Sequence, residues 1–358
     1  MHDALVALLR RDQVDEAAWS SLWDDLDAGR LERGETVALL ASLSTELPGY
    51  ATLTALLRSL DHRRPAPTVR FPDAVNIVGT GGGPSTFNIS TAAAFVAASL
   101  GVDVVKSGSR AYTSSVGSLD LLEQLGIPLT KSYEHTADML DRFHLAFAGY
   151  FVYPKELTQL GRSILPLGMR PFGRFLNTVG PFLAALPVKA QITGVADGGA
   201  VPYLRSVASA VDGRTVWLCA NALGADELIS FTDNVVYTND RSREIRVPAH
   251  RPGDGRPAGT LADLRPAPAG ESVVSRFFDV LTGRGGPVAT RTIALNAAAM
   301  AVAGGLTASW LAATDAAIEA IDSGAALDLV ARLQAHTAPT AAAVGPRRVP
   351  EREVSARG

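Results

Sequence analysis

The 358 residues carry 47% hydrophobic and 19% charged side chains, a globular composition that excludes a chain too polar to bury a core. A formal net charge of −3 supplies no general attraction to nucleic acid or to an anionic membrane, so neither is expected as a partner. The single cysteine, Cys219, excludes an internal disulfide and a cysteine metal cluster. The first residues, MHDALVALLRRDQVDE, mix acids and arginines around a short apolar run, unlike a signal peptide. Glycines and charges interrupt every alanine-rich stretch before it reaches bilayer length, and a cytoplasmic protein is the expectation.

Residues 1 to about 60 place Leu5, Leu8 and Leu9, then Trp19, Leu22, Trp23 and Leu26, then Val37, Leu39, Leu40 and Leu43 at helical spacing. This predicts a helical module, with Asp61–Thr68 (DHRRPAPT) as the linker leaving it. From Val75 the texture changes to short β-branched runs, VNIVG, VDVVK, TVWLC and NVVYT, separated by longer helical segments. That alternation predicts an α/β fold with a largely parallel sheet covered by helices. Residues 156–190 read as helix or loop that rejoins the first module. The Pro- and Gly-rich 249–272 reads as loop, and 338–358 as a mobile tail.

The stretch NIVGTGGGPSTFNISTAAAFVAASLG, from Asn76 to Gly101, reads as strand, glycine-rich turn and helix, with Ser90-Thr91 as residue types suited to the helix start. Glycine allows backbone amides to approach a ligand, and a helix N-terminus favours an anion, so phosphate is the simplest ligand. The dinucleotide fingerprint fails because Pro84 stands where its third glycine belongs, and no Gly-Lys-Ser/Thr completes a P-loop. Tight strand–helix packing is the competing explanation of the glycines. Asp226-Glu227 follows the TVWLCANALGA strand and loop, where a parallel sheet places ligand residues, and hard carboxylate oxygens suit magnesium. Neighbouring acids are also common on solvated surfaces. Asn296 reads as a residue that fixes a helix or a domain contact, and the scattered histidines offer no zinc spacing.

GTGGGPSTFNIST, with VVKSGSRAYTSSVGSLDLLEQLG, LGMRPFGRFLNTVGP, GADEL and ALNAAAMAVAGG in that order, resembles the anthranilate phosphoribosyltransferase family, which shares a fold with pyrimidine nucleoside phosphorylases. The resemblance implies a small helical domain (1–66, joined by 156–190), a large α/β donor-binding domain with a mostly parallel central sheet (67–155 and 191–337), and a homodimer. It implies transfer of phosphoribosyl from PRPP, bound with Mg2+, to an aromatic acceptor that bears a carboxylate: anthranilate or an analogue. Gly79, Thr80, Gly81, Gly82, Asn88, Ser90, Thr91, Lys106 and Ser118 are then expected at the donor, with Lys106 and Arg110 as the catalytic cations. Ser90, Asp226 and Glu227 are expected at the metal, and Ser107, Ser109, Arg170 and Arg174 at the acceptor. Departure of pyrophosphate leaves an electron-poor ribosyl centre, so such chemistry asks for charge neutralisation more than for a strong base.

The sequence departs from the family pattern at three places, one of them the Leu167-Gly168-Met169-Arg170 segment, where Asn177 comes too late after Arg170 and Arg174 is a residue too close. Gly83-Pro84 stands where relatives usually read GTGGDG, and the usual Lys-His-Gly-Asn-Arg is Lys106-Ser107-Gly108-Ser109-Arg110. A nucleoside phosphorylase-like enzyme and a non-catalytic binding protein on the same fold remain the alternative readings.

Overall fold

The computed structural model describes residues 1–108, 117–211, 213–239, 244–249, 258–268 and 270–337. The tail 338–358 and part of the 249–272 loop lie outside them.

Four helices open the chain: α1 (Asp3–Arg10), α2 (Glu16–Asp27), α3 (Arg33–Thr45) and α4 (Tyr50–Arg63). Asp15 caps α2 by accepting from the Ala18 amide at 2.8 Å. The helical spacing holds Leu5, Leu8, Trp19, Leu22, Trp23, Leu39, Leu40 and Leu43 inside, whereas Leu9 is exposed. Trp19 and Trp23, one turn apart, stack at 5.6 Å, and their indole N–H groups donate to the Thr52 carbonyl and the Ser59 hydroxyl. The linker begins later than the sequence suggests. Asp61, His62 and Arg63 complete α4, because Arg63 is drawn onto Asp24, Asp27 and Glu156.

β1 (Phe71–Gly79) leads through the glycine turn into α5 (Ile89–Ser99), then β2 (Val104–Lys106), α6 (Ser118–Leu125), α7 (Tyr133–Phe143) and β3 (Leu145–Phe147). The chain returns through α8 (Lys155–Ser163) and α9 (Gly173–Leu183). Leu160, Ile164, Phe175 and Val179 of that return join the same apolar cluster as the tryptophans. β4 (Val188–Gly194) follows, so the end of the stretch read as helix or loop belongs to the sheet. α10 (Val201–Ser209), β5 (Thr215–Asn221), β6 (Asn234–Thr238) and β7 (Glu244–Val247) come next, and α11 (Val273–Leu281), α12 (Pro287–Gly304), α13 (Trp310–Asp322) and α14 (Ala325–Thr337) close the described chain.

The seven strands form one mostly parallel sheet in the order β3-β2-β1-β4-β5-β6-β7. β1 to β5 run parallel; β6, carrying NVVYT, pairs antiparallel with both β5 and β7. A β-branched run specifies a strand but not its direction, and the 222–233 connection holds no helix to carry the chain back for a parallel return, so β6 pairs antiparallel. α5, with Ala92 to Ala97 all at 0% exposure, is apolar on every side because the sheet, α12 and α14 surround it. Strand order reverses between β1 and β4, which makes their carboxyl ends the crevice where open α/β sheets take ligands.

Candidate active site

Gly79 and Gly194, the last paired residues of β1 and β4, face each other at that reversal. A Cβ on Gly79 would overlap the Asp226 carboxylate, and one on Gly194 would overlap the Asp226 carbonyl. A Cβ on Gly83 would stand 2.5 Å from the Gly224 carbonyl. These three glycines therefore admit the 224–227 segment to the crevice. Gly81 and Gly82 serve differently, since their φ values of 64° and 84° are left-handed turn conformations that other residues resist.

Asp226 Oδ2 accepts from the Gly81 amide at 2.7 Å, so an anionic group already sits in the turn expected to cradle a phosphate. Two asparagines hold this acidic segment. Asn221 Nδ2 donates to the carbonyls of Ala225 and Glu227, and Asn296 Nδ2 donates to that of Leu228 while its Oδ1 accepts from the Leu228 amide. Asn296 also bonds the Thr292 carbonyl, which ties the segment to α12 and agrees with its structural reading.

Lys106, at the end of β2, is buried, and its ammonium donates to the Ile77 carbonyl at 3.0 Å and to Ser90 Oγ at 3.2 Å. Burial pushes its pKa down to about 8, although Glu227 and Asp226 partly offset the loss of water. Burial raises the Asp226 carboxyl; it raises Glu227 further, with the Asp226 charge adding to it. Glu227 Oε2 is buried without a hydrogen-bond partner. Ser90, Asp226, Glu227 and Asn296 line one narrow cleft.

Among the described residues no group of three or more His, Cys, Asp or Glu side chains gathers as a metal cluster. The pair Asp226-Glu227, with one carboxylate oxygen orphaned, nevertheless fits an oxygen-seeking cation that takes its remaining ligands from a bound phosphate or water.

Other expected site residues are placed less openly. α5 starts at Ile89, with Asn88 as its N-cap, so Ser90 and Thr91 lie within the first turn rather than before it. Thr91 is fully buried and its hydroxyl has no hydrogen-bond partner. Thr80 is buried too, with Oγ1 accepting from the Ala196 amide and its own amide donating to the Gly194 carbonyl, so it fastens β1 to β4. Ser107 corrects the acceptor expectation: its amide and hydroxyl both donate to Asn76 Oδ1, and it is closed from solvent. Ser118 opens α6, with its hydroxyl against Gly108, where a Cβ would overlap it. Arg170 and Arg174 are exposed at the start of α9, and Arg174 donates to the Thr45 carbonyl at 3.1 Å. Ser109 and Arg110 lie outside the described residues.

Sequence reasoning missed Asn76, Gly194 and Asn221. The Asn closing the TVWLCAN strand, just before Ala-Leu-Gly-Ala, was the one local signal, because asparagine side chains organise turns.

Comparison with known proteins identifies the family. Residues 71–327 match the glycosyl transferase family, a/b domain. Anthranilate phosphoribosyltransferase of Bacillus licheniformis is 30% identical, over 93% of this chain and 98% of that protein. The chain belongs to the glycosyltransferases and, within them, to the anthranilate phosphoribosyltransferase family. The crystal structure of the Thermus thermophilus anthranilate phosphoribosyltransferase superposes with a TM-score of 0.74 at 25% identity, covering 94% of this chain and 99% of that one. The Saccharomyces cerevisiae enzyme, solved in complex with PRPP and Mg, shares the fold with a TM-score of 0.69 at 20% identity, over 90% of this chain and 92% of that one. No helix among the described residues is long and apolar enough to cross a membrane.

Proposed function

We propose that this chain is a magnesium-dependent enzyme that transfers 5-phosphoribosyl from PRPP to an aromatic acceptor bearing a carboxylate, anthranilate or an analogue, with release of pyrophosphate, and that it works as a homodimer with the helical part (1–66 and 156–190) set against the α/β part. The observation that carries the reading is the convergence of Lys106, Ser90, Asp226 and Glu227 on the glycine turn at the strand-order reversal, with one carboxylate oxygen left unpaired. A fixed cation beside two carboxylates is the charge arrangement that a magnesium-bound polyphosphate completes.

Asp226 and Glu227 would hold the metal, and magnesium there would neutralise charge on the departing pyrophosphate. Lys106, held by the Ile77 carbonyl, keeps a positive charge beside the donor without moving. Asp226 accepts from the Gly81 amide here; were its carboxylate to hold a metal instead, that amide would be free to donate to a phosphate oxygen. An amine held in line forms the C–N bond at the electron-poor C1 as the bond to pyrophosphate breaks, and the proton that the amine loses passes to the pyrophosphate or to water.

Arg170 or Arg174 would hold the acceptor carboxylate, and because Ser107 and Ser109 stand where relatives carry larger polar groups, turnover of anthranilate is expected to be slower than that of another aromatic acceptor. Calorimetric titration with PRPP and magnesium, followed by an acceptor screen scored by pyrophosphate release, tests the reading. PRPP binding indifferent to magnesium would overturn it, and anthranilate as the preferred acceptor would overturn the acceptor part. Sedimentation in solution checks the dimer.

A further inference from the structure

At the opposite edge of the sheet from Lys106 and the acidic pair, where β4 and β5 begin, lies a half-open groove of about 940 Å³. Its walls include two of the three chain crossings: Arg64–Arg70, which runs from α4 into β1, and Ala184–Pro187, which runs from α9 into β4. The end of α4 and the turn before β5 complete it.

Arg58, Arg64, Arg70 and Arg214 all line this groove. Its acids are already engaged, since Asp61 pairs with Arg64 at 2.7 Å and Glu16 with His62 at 2.6 Å. Among the described residues, no carboxylate pairs with Arg58, Arg70 or Arg214. Arg214 Nη1 donates to the carbonyls of Ala184 and Leu186, which fixes the guanidinium against one crossing, and its buried Nε has no partner. The Arg70 guanidinium reaches the neighbourhood of Gly213, the residue before Arg214. Burial, with Arg64 adding to it and Asp61 opposing it, pushes the Arg214 pKa down to about 10. Isolated arginines on a convex surface are simply solvated. Here they share a concave site whose other walls are apolar, with Leu57, Phe182, Leu186, Val207 and Val211 among them.

We propose that this groove binds an organic anion, a phosphate or carboxylate carried on an apolar body, at a site separate from the donor crevice, and that its occupancy stiffens the two crossings. Guanidinium forks match the oxygens of either anion, and the apolar wall takes the body. Because both crossings contact the ligand, binding changes how freely the two hydrophobic clusters move relative to each other.

Phenyl phosphate titrated into the full chain, followed by amide hydrogen exchange, tests the proposal. The expected result is slowed exchange in 64–70 and 184–186 with no change in 79–88. In Arg58→Gln/Arg70→Gln, whose two side chains are exposed and whose unfolding temperature should match the parent, binding weakens by about tenfold or more. In Asp226→Asn/Glu227→Gln it is unchanged. Inorganic phosphate should bind about tenfold more weakly than phenyl phosphate, since it lacks the apolar body. Benzoate giving the same protection extends the ligand class to carboxylates, and protection by phenyl phosphate alone restricts it to phosphate esters. No protection of the crossings, protection confined to 79–88, or undiminished binding in the double arginine variant would overturn the proposal. Equal binding of inorganic phosphate would overturn the requirement for an apolar body.

Discussion

Two charge clusters in this molecule are built on opposite principles. Around Arg63, Asp24, Asp27 and Glu156 each accept from a different guanidinium nitrogen, and the charges are matched by geometry. Burial works against the Arg63 charge, but the bonds from Asp24, Glu156 and Asp27 outweigh it, and the net shift of its pKa is upward. Around Lys106 the shift is downward: the ammonium bonds only a carbonyl and a hydroxyl, and a Glu227 oxygen nearby has no partner at all. The first cluster joins α2, α4 and α8 and is complete. The second is incomplete at the place where the strand order reverses, and an incomplete charge set is what a ligand can finish.

Breaking the complete cluster should give the largest effect on stability. Arg63→Ala leaves Glu156, which is 2% exposed, as a buried carboxylate without its cation. The expected loss is about 3 kcal/mol or more, read from urea denaturation. A loss below about 1 kcal/mol would mean that water reaches Glu156 in the variant and that the network contributes no more than a surface pair.

Breaking the incomplete cluster should cost binding and not stability. Asp226→Asn/Glu227→Gln is expected to weaken PRPP binding in magnesium by about a hundredfold, because two charge-assisted metal contacts are lost. Its folded state should remain intact, since the Gly81 amide can still bond an asparagine oxygen. Equal PRPP affinity in this variant, measured by calorimetry, would remove the acids from the donor site.

The difference between the clusters also explains what was legible in the sequence. Helical spacing exposed the apolar faces of α2 and α3, and β-branched runs exposed β1 and β5, because both signals are local. Lys106 and Asp226-Glu227 stood out because the first closes a β-branched run and the pair follows the loop after another, and both run and loop are local signals. The need for glycine at 194 was invisible: it comes from the Asp226 carbonyl, a neighbour only in the folded chain. The bonds between Ser107 and Asn76 were hidden for the same reason, so Ser107 read as a ligand residue. The start of α5 was misread through residue type, since the helix begins two residues earlier than a Ser-Thr cap implies.

A pH dependence sharpens the comparison further. Glu227 has a folded pKa above its ordinary value, so the folded state holds a proton that the unfolded chain has already released. The stability from that proton is fully present below pH 4.5 and is lost as pH rises through the raised folded value. Glu227→Gln should therefore stabilise the unliganded protein at neutral and higher pH, by about 1 to 2 kcal/mol, and have little effect below pH 4.5. Thermal unfolding of parent and variant across pH checks the sign. A variant less stable than the parent at pH 8 would show that Glu227 is satisfied in the absence of a ligand.

The smallest effect separates two kinds of glycine within one turn. At Gly79 the added methyl would overlap the Asp226 carboxylate, so Gly79→Ala has to displace the acidic segment and with it the metal-binding oxygens. At Gly82 nothing lies within 4 Å of the added Cβ, and the obstacle is the backbone alone, at φ 84°. Left-handed geometry costs an alanine about 1 kcal/mol, so Gly82→Ala should lose about that much stability, while the acidic segment stays in place. The two variants then diverge in their response to magnesium. Gly79→Ala should bind PRPP equally poorly with and without the metal, because its carboxylates have moved. Gly82→Ala should keep the magnesium dependence and bind PRPP only about three- to tenfold more weakly, as its turn amides spend less time in the binding geometry. If Gly82→Ala instead abolishes the magnesium response, the turn and the acidic pair are coupled more tightly than the single Gly81–Asp226 hydrogen bond implies, and the distinction between the two glycines fails.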